Sequence, residues 1–323
     1  MEYRNLGKWG VKLSKVGLGS YLTIGMHVSD DLAAECVALA FDSGINWFDT
    51  ANAYNRGEAE KSLGRILPGY PRESYVLATK VWAPMGDGPN DRGLSAKHIF
   101  EQCHASLKRL NADYIDLYQC HRPDPDTPLE ETIRIMDDLA RQGKILYWGC
   151  SEWPSALIQE ACDLARAMGC RPPASNQPRY SLLWRYPEAE VFPTTLKTGM
   201  GNVVFSPLAH GVLTGKYEPG QPPAEGTRAS DPSQNKIMMD LYFKDEILRK
   251  AQTLKSIAGD LGITAAQLSL AWCMKHPAVT SVIIGATKIE QMRDNVAAAN
   301  VELSDEVYAQ LCDLFPRPEL GAP

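Results

Sequence analysis

Residues 114–151 read YIDLYQCHRPDPDTPLEETIRIMDDLARQGKILYWGCS, and this stretch decides the fold class. Its first and last runs, YIDLYQCH and ILYWGCS, are apolar on both alternating faces, which is typical of parallel strands covered on both sides. Thr127 and Glu130 match a capping box at the start of a helix. Apolar residues then recur at the spacing of one helix face, at Leu129, Ile133, Met136 and Ala140. The stretch therefore predicts a strand, a helix and a second strand.

The same alternation runs along the whole chain. Apolar runs bounded by turn residues begin at Val16, Trp47, Tyr75, Tyr114, Ile145, Pro173, Asn202 and Thr280. Right-handed crossovers repeated that often can close a sheet on itself, so the pattern predicts an α/β fold, a (β/α)8 TIM barrel. A doubly wound open sheet is the alternative. It is weakened because Gly17-Leu18-Gly19 lacks the third glycine of a dinucleotide-binding turn.

Several segments depart from this alternation. Residues 1–15 predict a hairpin that caps one end of the barrel. The Gly/Pro/Ser-rich stretch 207–236 is too long for an ordinary strand–helix connection and predicts a binding loop that clamps a ligand. Residues 304–315 predict an extra helix, and 316–323 a fraying tail. We expect 1–323 to form one domain.

Composition and net charge exclude several classes of function. The chain has 323 residues and a net charge of −6, which argues against a broad nucleic-acid-binding surface. Its apolar runs are much shorter than the ~20 residues that span a bilayer, and the first residues lack a signal-peptide core, so we expect a cytoplasmic protein without a membrane span. The 8 cysteines show no Cys-x-x-Cys spacing and predict reduced thiols. No metal site is predicted.

Candidate catalytic residues follow from the barrel geometry, because reactive groups in such barrels lie at the carboxyl ends of the strands. Asp49, Tyr54, Lys80 and His121 end or follow three successive apolar runs. Taken singly, each has an ordinary structural explanation: an ion pair, a packed histidine or a surface tyrosine. Four reactive side chains converging from adjacent strands are much less expected by accident.

Together these residues suit proton donation. A free tyrosine titrates at about pH 10 and is a poor acid at neutral pH. An ammonium about 4 Å away contributes on the order of 4 kcal/mol at an effective dielectric of about 20, or roughly three pK units. We therefore expect Lys80 to acidify Tyr54, Asp49 to keep Lys80 charged, and His121 to orient a substrate oxygen. The group contains no reductant or nucleophile of its own, which implies a cofactor.

A family resemblance covers residues 4–300. The stretches GINWFDTANAYN, VLATKVW, YIDLYQCHRPDPDTPLEET, YWGCS, NQPRYSLL, FSPLAHGVLTGKY and SVIIGATKIEQMRDN resemble the aldo-keto reductases, especially the branch with the potassium-channel beta subunits and their bacterial relatives. The resemblance implies a barrel that reduces aldehydes or ketones with NADPH. It makes Tyr54 the general acid, Lys80 and Asp49 its activating pair, and His121 the residue that positions the carbonyl. Channel beta subunits carry asparagine at the position of His121, so this histidine favours an enzyme.

The resemblance also implies the contacts of the NADPH/NADP+ cofactor. The implied cofactor-binding residues are Gly19, Ser20, Tyr21, Asp49, Ser151, Gln177, Phe205, Ser206, Pro207, Leu208, Ala209, Gly211, Lys216, Arg228, Gly285, Thr287, Gln291 and Asn295. Phe205 would stack on the nicotinamide, and Lys216 and Arg228 suit a 2′-phosphate. Thr287 with Glu290 also fits a simple helix cap. Glu152 departs from the basic residue of the channel-type proteins.

The sequence also predicts a substrate pocket and leaves alternative functions open. Tyr21, Trp82 and His121 are placed to line a pocket for a small carbonyl substrate. The leading hypothesis is an NADPH-dependent carbonyl reductase. The second is a redox-sensing NADPH-binding regulatory subunit with weak catalysis, against which His121 and the short segment before the hairpin argue. A Schiff-base lyase using Lys80 is a minor alternative. By resemblance alone, the chain forms a homo-oligomer of four or eight subunits.

Overall fold

The strands were located in a computed structural model that describes residues 1–232 and 235–318. All eight predicted runs are confirmed as parallel strands, and two further strands precede them. The bounds are β1 (Tyr3–Asn5), β2 (Lys12–Ser14), β3 (Val16–Gly19), β4 (Trp47–Asp49), β5 (Val76–Val81), β6 (Ile115–Cys120), β7 (Ile145–Ser151), β8 (Ser175–Gln177), β9 (Gly201–Val204) and β10 (Val279–Ile284).

Helices alternate with these strands. They are α1 (Asp30–Asp42), α2 (Glu58–Ile66), α3 (Ala96–Leu110), α4 (Leu129–Arg141), α5 (Ser155–Ala167), α6 (Val191–Thr198), α7 (Lys236–Leu241), α8 (Asp245–Asp260), α9 (Ala265–Lys275), α10 (Ile289–Ala297) and α11 (Asp305–Leu314). The capping box predicted for α4 is wrong. Pro128 occupies the N-cap of that helix, and the Thr127 hydroxyl donates instead to Asp124 Oδ2 at 2.8 Å.

Strands β3 to β10 form a closed parallel barrel in chain order, because β10 pairs with β3. Val282 pairs with Val16, and Leu18 pairs with Phe48 on the other side of β3. This closure confirms the (β/α)8 TIM barrel and excludes the doubly wound open sheet. Only glycine fits at position 17 in this barrel, because a Cβ there would lie 2.1 Å from the indole of Trp47, which fills the barrel interior.

The predicted hairpin cap is confirmed at the amino end of the barrel. β1 and β2 pair antiparallel, with Tyr3 opposite Ser14. Leu6 and Leu13 are buried in a small apolar cluster with residues that lie in, or directly before, the barrel strands: Trp47, Val76, Ala78, Leu117, Ala174 and Val203. The hairpin thus closes one barrel end with apolar side chains and leaves the carboxyl end for polar ones.

The predicted extra helix is α11, which begins after its N-cap Ser304. The long stretch 207–236 contains two short 3-10 helices, Ala209–Thr214 and Arg228–Ser230, and its residues 233–234 lie outside the described residues. So do residues 319–323 of the predicted tail. Across the described chain no single helix qualifies as a membrane span; α8 and α9 pass that test only as a pair bent by 91°.

Candidate active site

The four predicted catalytic side chains meet at the carboxyl end of the barrel. Asp49 ends β4, Tyr54 opens a 3-10 turn five residues later, Lys80 lies in β5, and His121 directly follows β6. Lys80 Nζ lies 2.6 Å from Asp49 Oδ2 and 3.3 Å from Tyr54 Oη. The imidazole of His121 stands edge-on to the Tyr54 ring, with their centroids 5.6 Å apart. Barrel closure therefore places side chains from three strands within contact distance.

Lys80 is fully buried, and its ammonium has an acceptor for each of its three N–H bonds. Besides Asp49 and Tyr54, it donates to the carbonyl oxygen of Thr50 at 2.8 Å. An ammonium has three donors and no acceptor, so it donates to the phenol oxygen and cannot accept its proton. The hydroxyl hydrogen of Tyr54 is left free for another acceptor.

Asp49 is held from both sides. Its Oδ1 accepts a hydrogen bond from Gln177 Nε2 at 2.9 Å and a longer one from Gln119 Nε2 at 3.5 Å. Its Oδ2 faces Lys80. Such a carboxylate, hydrogen-bonded on both oxygens inside a protein, is fixed in position. The sequence analysis missed Gln119, which points into the barrel from β6.

The expected acidification of Tyr54 is wrong for the protein without a ligand. Burial raises the pKa of Tyr54 well above its ordinary value, and the negative charge of Asp49 raises it further. The reason is that a phenolate there would lose its hydration and face the carboxylate of Asp49, and these two effects outweigh the Lys80 ammonium 3.3 Å away. Tyr54 is therefore a neutral hydroxyl that holds its proton.

His121 is also uncharged at neutral pH. Burial lowers its pKa well below the ordinary value, and the cations of Lys80 and Arg122 lower it further. Burial likewise lowers the pKa of Lys80, against the attraction of Asp49. A neutral imidazole carries one N–H donor and one acceptor nitrogen, so His121 can orient an oxygen by a hydrogen bond.

A cavity of about 230 Å³ opens beside Tyr54. It is lined by the loops after β3 and β4, with the residues Ser20, Tyr21, Leu22, Ile24, Met26, Ala53, Tyr54 and Asn55. The ring of Tyr21 lies 5.0 Å from that of Tyr54 and is 49% exposed. Trp82 and His121, the other two predicted pocket residues, do not line this cavity; Trp82 follows β5 and is half-buried. Met26 and Asn55 are lining residues that the sequence analysis missed.

The residues expected near the nicotinamide lie around the same barrel mouth. Ser20 follows β3 and donates from its hydroxyl to Thr50 Oγ1 at 2.8 Å. Ser151 ends β7 and donates to the carbonyl oxygen of Gln177 at 2.9 Å. Phe205 directly follows β9 and is half-buried. These positions are compatible with the contacts expected for the cofactor.

The chain after β9 turns through a run of left-handed residues. The φ angles are 54° at Ser206, 46° at Ala209, 57° at His210 and 93° at Gly211. The Ser206 carbonyl accepts the Ala209 N–H at 2.9 Å, which tightens the turn. Left-handed non-glycine residues are uncommon and cluster at binding sites. Of the other predicted residues here, Pro207 is buried and Leu208 half-buried.

The two predicted cations of the long loop differ in their surroundings. Lys216 is exposed, with its Nζ 5.1 Å from the ring centroid of Tyr217. Arg228 is half-buried, and its Nη1 lies 3.4 Å from Nδ1 of His210. Arg228 therefore faces the turn after β9.

The segment after β10 contains the residues expected near the adenosine. Gln291 Oε1 accepts from both the backbone N–H and the hydroxyl of Thr287, at 3.0 and 3.2 Å. Asn295 Nδ2 donates to the carbonyl oxygen of Gly285 at 3.4 Å. The capping-box alternative for Thr287 is wrong, because Lys288 is the N-cap of α10 and makes no side-chain cap bond. Thr287, Gln291 and Asn295 thus form one polar group.

Two arginines at the mouth were missed. Arg122 donates from Nη1 to the carbonyl oxygen of His121 at 2.6 Å and lies 3.4 Å from Ser151 Oγ. Arg179 follows β8, and its Nε is buried without an acceptor among the described residues. An unsatisfied buried N–H at a site mouth fits an absent anionic ligand such as a dinucleotide phosphate. In the described ranges no group of three or more His, Cys, Asp or Glu residues could hold a metal ion.

Comparisons with known proteins agree with this geometry. The model of the aldo/keto reductase family matches residues 15–314. The chain belongs to the aldo/keto reductase family. A "probable voltage-gated potassium channel subunit beta" of Arabidopsis thaliana is 42% identical over 305 residues, which cover 93% of this chain and 92% of that protein. A protein of the same description from Oryza sativa subsp. japonica shows the same identity and coverage.

Family membership fits the barrel and the polar mouth of this aldo/keto reductase. Such proteins generally bind a nicotinamide dinucleotide, and the family suggests oxidoreductase activity. Glu152, where the chain departs from the channel-type proteins, has an unusual backbone conformation. Glu152 is left-handed, with φ 56°, and its Oε1 accepts the backbone N–H of Arg179 at 2.7 Å. Its carboxylate is thereby turned to the backbone of the next loop.

Proposed function

We propose that this protein reduces aldehydes or ketones to alcohols with NADPH, with Tyr54 as the general acid. The observation that carries the proposal is the contact group of Asp49, Lys80, Tyr54 and His121 beside an open cavity. Bound NADPH supplies the hydride for the carbonyl carbon. A carbonyl oxygen that gains negative charge needs a proton donor and a hydrogen-bond donor within reach.

Each residue of the group has one task in this proposal. Tyr54 gives its proton to the carbonyl oxygen as negative charge develops there. Lys80 stabilises the resulting phenolate through the contact that it already makes with the phenol oxygen. Asp49 keeps Lys80 charged inside the barrel. His121, which is neutral, orients the carbonyl oxygen by a hydrogen bond.

The residues around the mouth support a dinucleotide, and the basic loop supports NADPH over NADH. Ser151, Gln177 and Phe205 would hold the nicotinamide end. Lys216 and Arg228 on the 207–236 stretch would bind the 2′-phosphate, so that the stretch clamps the cofactor. Thr287, Gln291 and Asn295 would bind the adenosine end, where hydroxyl and amide groups already lie together.

Replacing Tyr54 by phenylalanine tests the acid assignment. Tyr54→Phe keeps the ring contacts with Tyr21 and His121 but has no proton to give. We expect kcat/KM for nitrobenzaldehyde and methylglyoxal to fall roughly 10²–10⁴-fold, the usual contribution of a general acid. The affinity for NADPH, measured by fluorescence titration, should change little.

The matched control is Tyr118→Phe, which removes a buried phenol hydroxyl on β6. That hydroxyl makes one long hydrogen bond, 3.4 Å to the carbonyl oxygen of Ile99. The control should keep its turnover. If Tyr54→Phe reduced either aldehyde at the parental rate, Tyr54 would not be the acid.

A second candidate is a redox-sensing regulatory subunit that holds NADPH tightly and turns over weakly. It is favoured by the relatives described as channel beta subunits. Steady-state kinetics with simple aldehydes separates the two candidates. Many turnovers for each protein molecule support the reductase, whereas one slow oxidation of bound NADPH supports the sensor.

The Schiff-base lyase is disfavoured by the three hydrogen bonds that hold Lys80 as an ammonium. An amine must lose its proton before it attacks a carbonyl. Borohydride treatment with a ketone substrate tests this alternative. A covalent adduct at Lys80 would support the lyase.

A further inference from the structure

Arginines that are at least partly buried fall into two groups in the described chain. Away from the barrel mouth each has a carboxylate partner: Arg4 with Glu2, Arg72 with Asp116, Arg109 with Glu60 and Arg185 with Glu188. At the mouth, Arg122, Arg179 and Arg228 form no ion pair with any described residue. Burying an unpaired cation is costly, so these positions suit an external anion.

Two of these arginines flank one histidine. His210 lies in the left-handed turn after β9, and its Nδ1 is 3.4 Å from Arg228 Nη1. Its ring also contacts Tyr242, with centroids 6.1 Å apart. Arg179 lies close enough for its positive charge to act on both Tyr242 and His210, and its guanidinium lies 5.8 Å from the ring centroid of Phe205. Arg179, His210, Arg228 and Tyr242 thus form one basic cluster between the loops after β8 and β9.

We infer that Arg179 and His210 bind the diphosphate of the dinucleotide, and that His210 takes up a proton when the diphosphate binds. The inference rests on the proposed function, because it assigns the phosphates of that cofactor. Neither residue was among those expected from the sequence.

The diphosphate is the part of the dinucleotide that this position suits. Arg179 follows Gln177 by two residues and stands beside Phe205, both of which are expected at the nicotinamide end. The diphosphate is the first anionic group beyond that end. Arginine presents a planar fork of N–H donors that matches phosphate oxygens, and in the described part of the chain Arg179 Nε has no acceptor. Glu152 accepts only the backbone N–H of Arg179, which leaves the guanidinium free for an anion.

The proton uptake follows from the charges that face His210. Burial, then Arg228, then Arg179 lower the pKa of His210 to about 4. The other titratable group against its ring is Tyr242, behind which lies the carboxylate of Glu152; Lys216 lies beyond Gly211. A diphosphate between the cations offsets their two positive charges, which removes the lowering of the His210 pKa that Arg228 and Arg179 cause and so raises that pKa. Because the bound state then holds more protons, affinity increases as pH falls towards 6.

Titration of four proteins with NADPH and NADH tests the diphosphate assignment. The proteins are the parent, Arg179→Gln, His210→Gln and the control Arg134→Gln, whose arginine is exposed on α4. We expect Arg179→Gln to weaken both cofactors by the same factor, roughly 10- to 100-fold, because both contain the diphosphate. The control should bind like the parent. A loss confined to NADPH would assign Arg179 to the 2′-phosphate, and no loss would remove it from the site; either result overturns the inference.

Calorimetry in two buffers of different ionisation enthalpy tests the proton. We expect the parent to take up a proton with both cofactors at pH 6.5, and His210→Gln to take up less. The parent should bind NADH several-fold, at most about tenfold per pH unit, more tightly at pH 6 than at pH 8, while the variant changes little. NADH lacks the 2′-phosphate, whose own titration would add to the effect. Equal uptake by parent and variant refutes the role of His210, whereas failure of the parent to bind either cofactor refutes the proposed function instead.

Discussion

Asp49→Asn removes the negative half of the buried ion pair and leaves the ammonium of Lys80 without a counter-charge. Lys80 and Asp49 are 0% and 4% exposed, so water cannot replace the lost partner. Breaking such a buried pair typically costs about 3–5 kcal/mol. The asparagine oxygen can still accept one N–H of Lys80, so we expect the free energy of unfolding to fall by about 3 kcal/mol, the lower end of that range.

The loss in this variant should depend on pH in a defined direction. Burial already lowers the pKa of Lys80, and without Asp49 the pKa falls further, because Asp49 is the largest influence that raises it. Above that lowered pKa and below the unfolded value of about 10.4, the unfolded chain binds the proton and the folded protein does not. Stability of Asp49→Asn therefore rises with pH in this window, and its deficit relative to the parent shrinks from pH 7 to pH 9.

Urea unfolding monitored by tryptophan fluorescence at both pH values measures the effect. The control is Glu101→Gln, which breaks the exposed i,i+4 pair with Lys97 on α3 and should cost no more than about 0.5 kcal/mol. The double variant Asp49→Asn/Lys80→Met should regain most of the lost stability at pH 7. A deficit that stays the same from pH 7 to pH 9, or a double variant less stable than Asp49→Asn, refutes the argument from the uncompensated charge.

Three further expectations concern the cap, the cavity and the acid. Leu13→Ala should lower the free energy of unfolding by about 2–5 kcal/mol in urea, with unchanged NADPH affinity, because the hairpin closes the opposite barrel end. Asn55→Ala loses the 2.7 Å hydrogen bond to the Gly25 carbonyl and strains a backbone at φ 46°, so KM for aldehydes should rise more than the Kd for NADPH. Asn55→Gly also loses that hydrogen bond but relieves the backbone strain, so its KM should rise less. At saturating cofactor, the pH profile of kcat should show no break at about pH 6.5, the ordinary pKa of histidine, because His121 is already neutral there. A fall of kcat at acidic pH in the parent that disappears in His121→Asn would contradict this.

The barrel could be predicted from sequence because its strands are buried on both faces and are apolar at nearly every position. β7 (Ile145–Ser151) was predicted with its observed bounds. The helix caps were harder to predict, because a threonine hydroxyl that could cap a helix can bond another side chain instead. Thr127 donates to Asp124, and Thr287 to Gln291, and neither choice is visible in the spacing of a capping box.

The position of the candidate site was predicted from the sequence, but the pKa of Tyr54 was not. The carboxyl ends of neighbouring strands must meet, so the convergence of Tyr54 and Lys80 followed from their places in the chain. The pKa of Tyr54 depends on how deeply the phenol is buried and how near Asp49 lies, and both are tertiary properties. Arg179 and His210 were missed for a related reason. Neither has a carboxylate partner among the residues that the structure describes, and only the packing of separate loops reveals this.

The distribution of charge separates binding from chemistry in this barrel. At the centre, the charges of Asp49 and Lys80 offset each other, and Tyr54 and His121 are neutral, so the centre offers hydrogen-bond donors and acceptors instead of a net charge. At the rim, three arginines without an ion-pair partner among the described residues supply positive charge that would attract the proposed dinucleotide. A protein that kept the rim and lost the centre would hold NADPH without turning it over, as a sensor requires. This chain has both parts, with a Tyr54 hydroxyl hydrogen that is available for a hydrogen bond to a substrate oxygen, and that combination favours the proposed reductase.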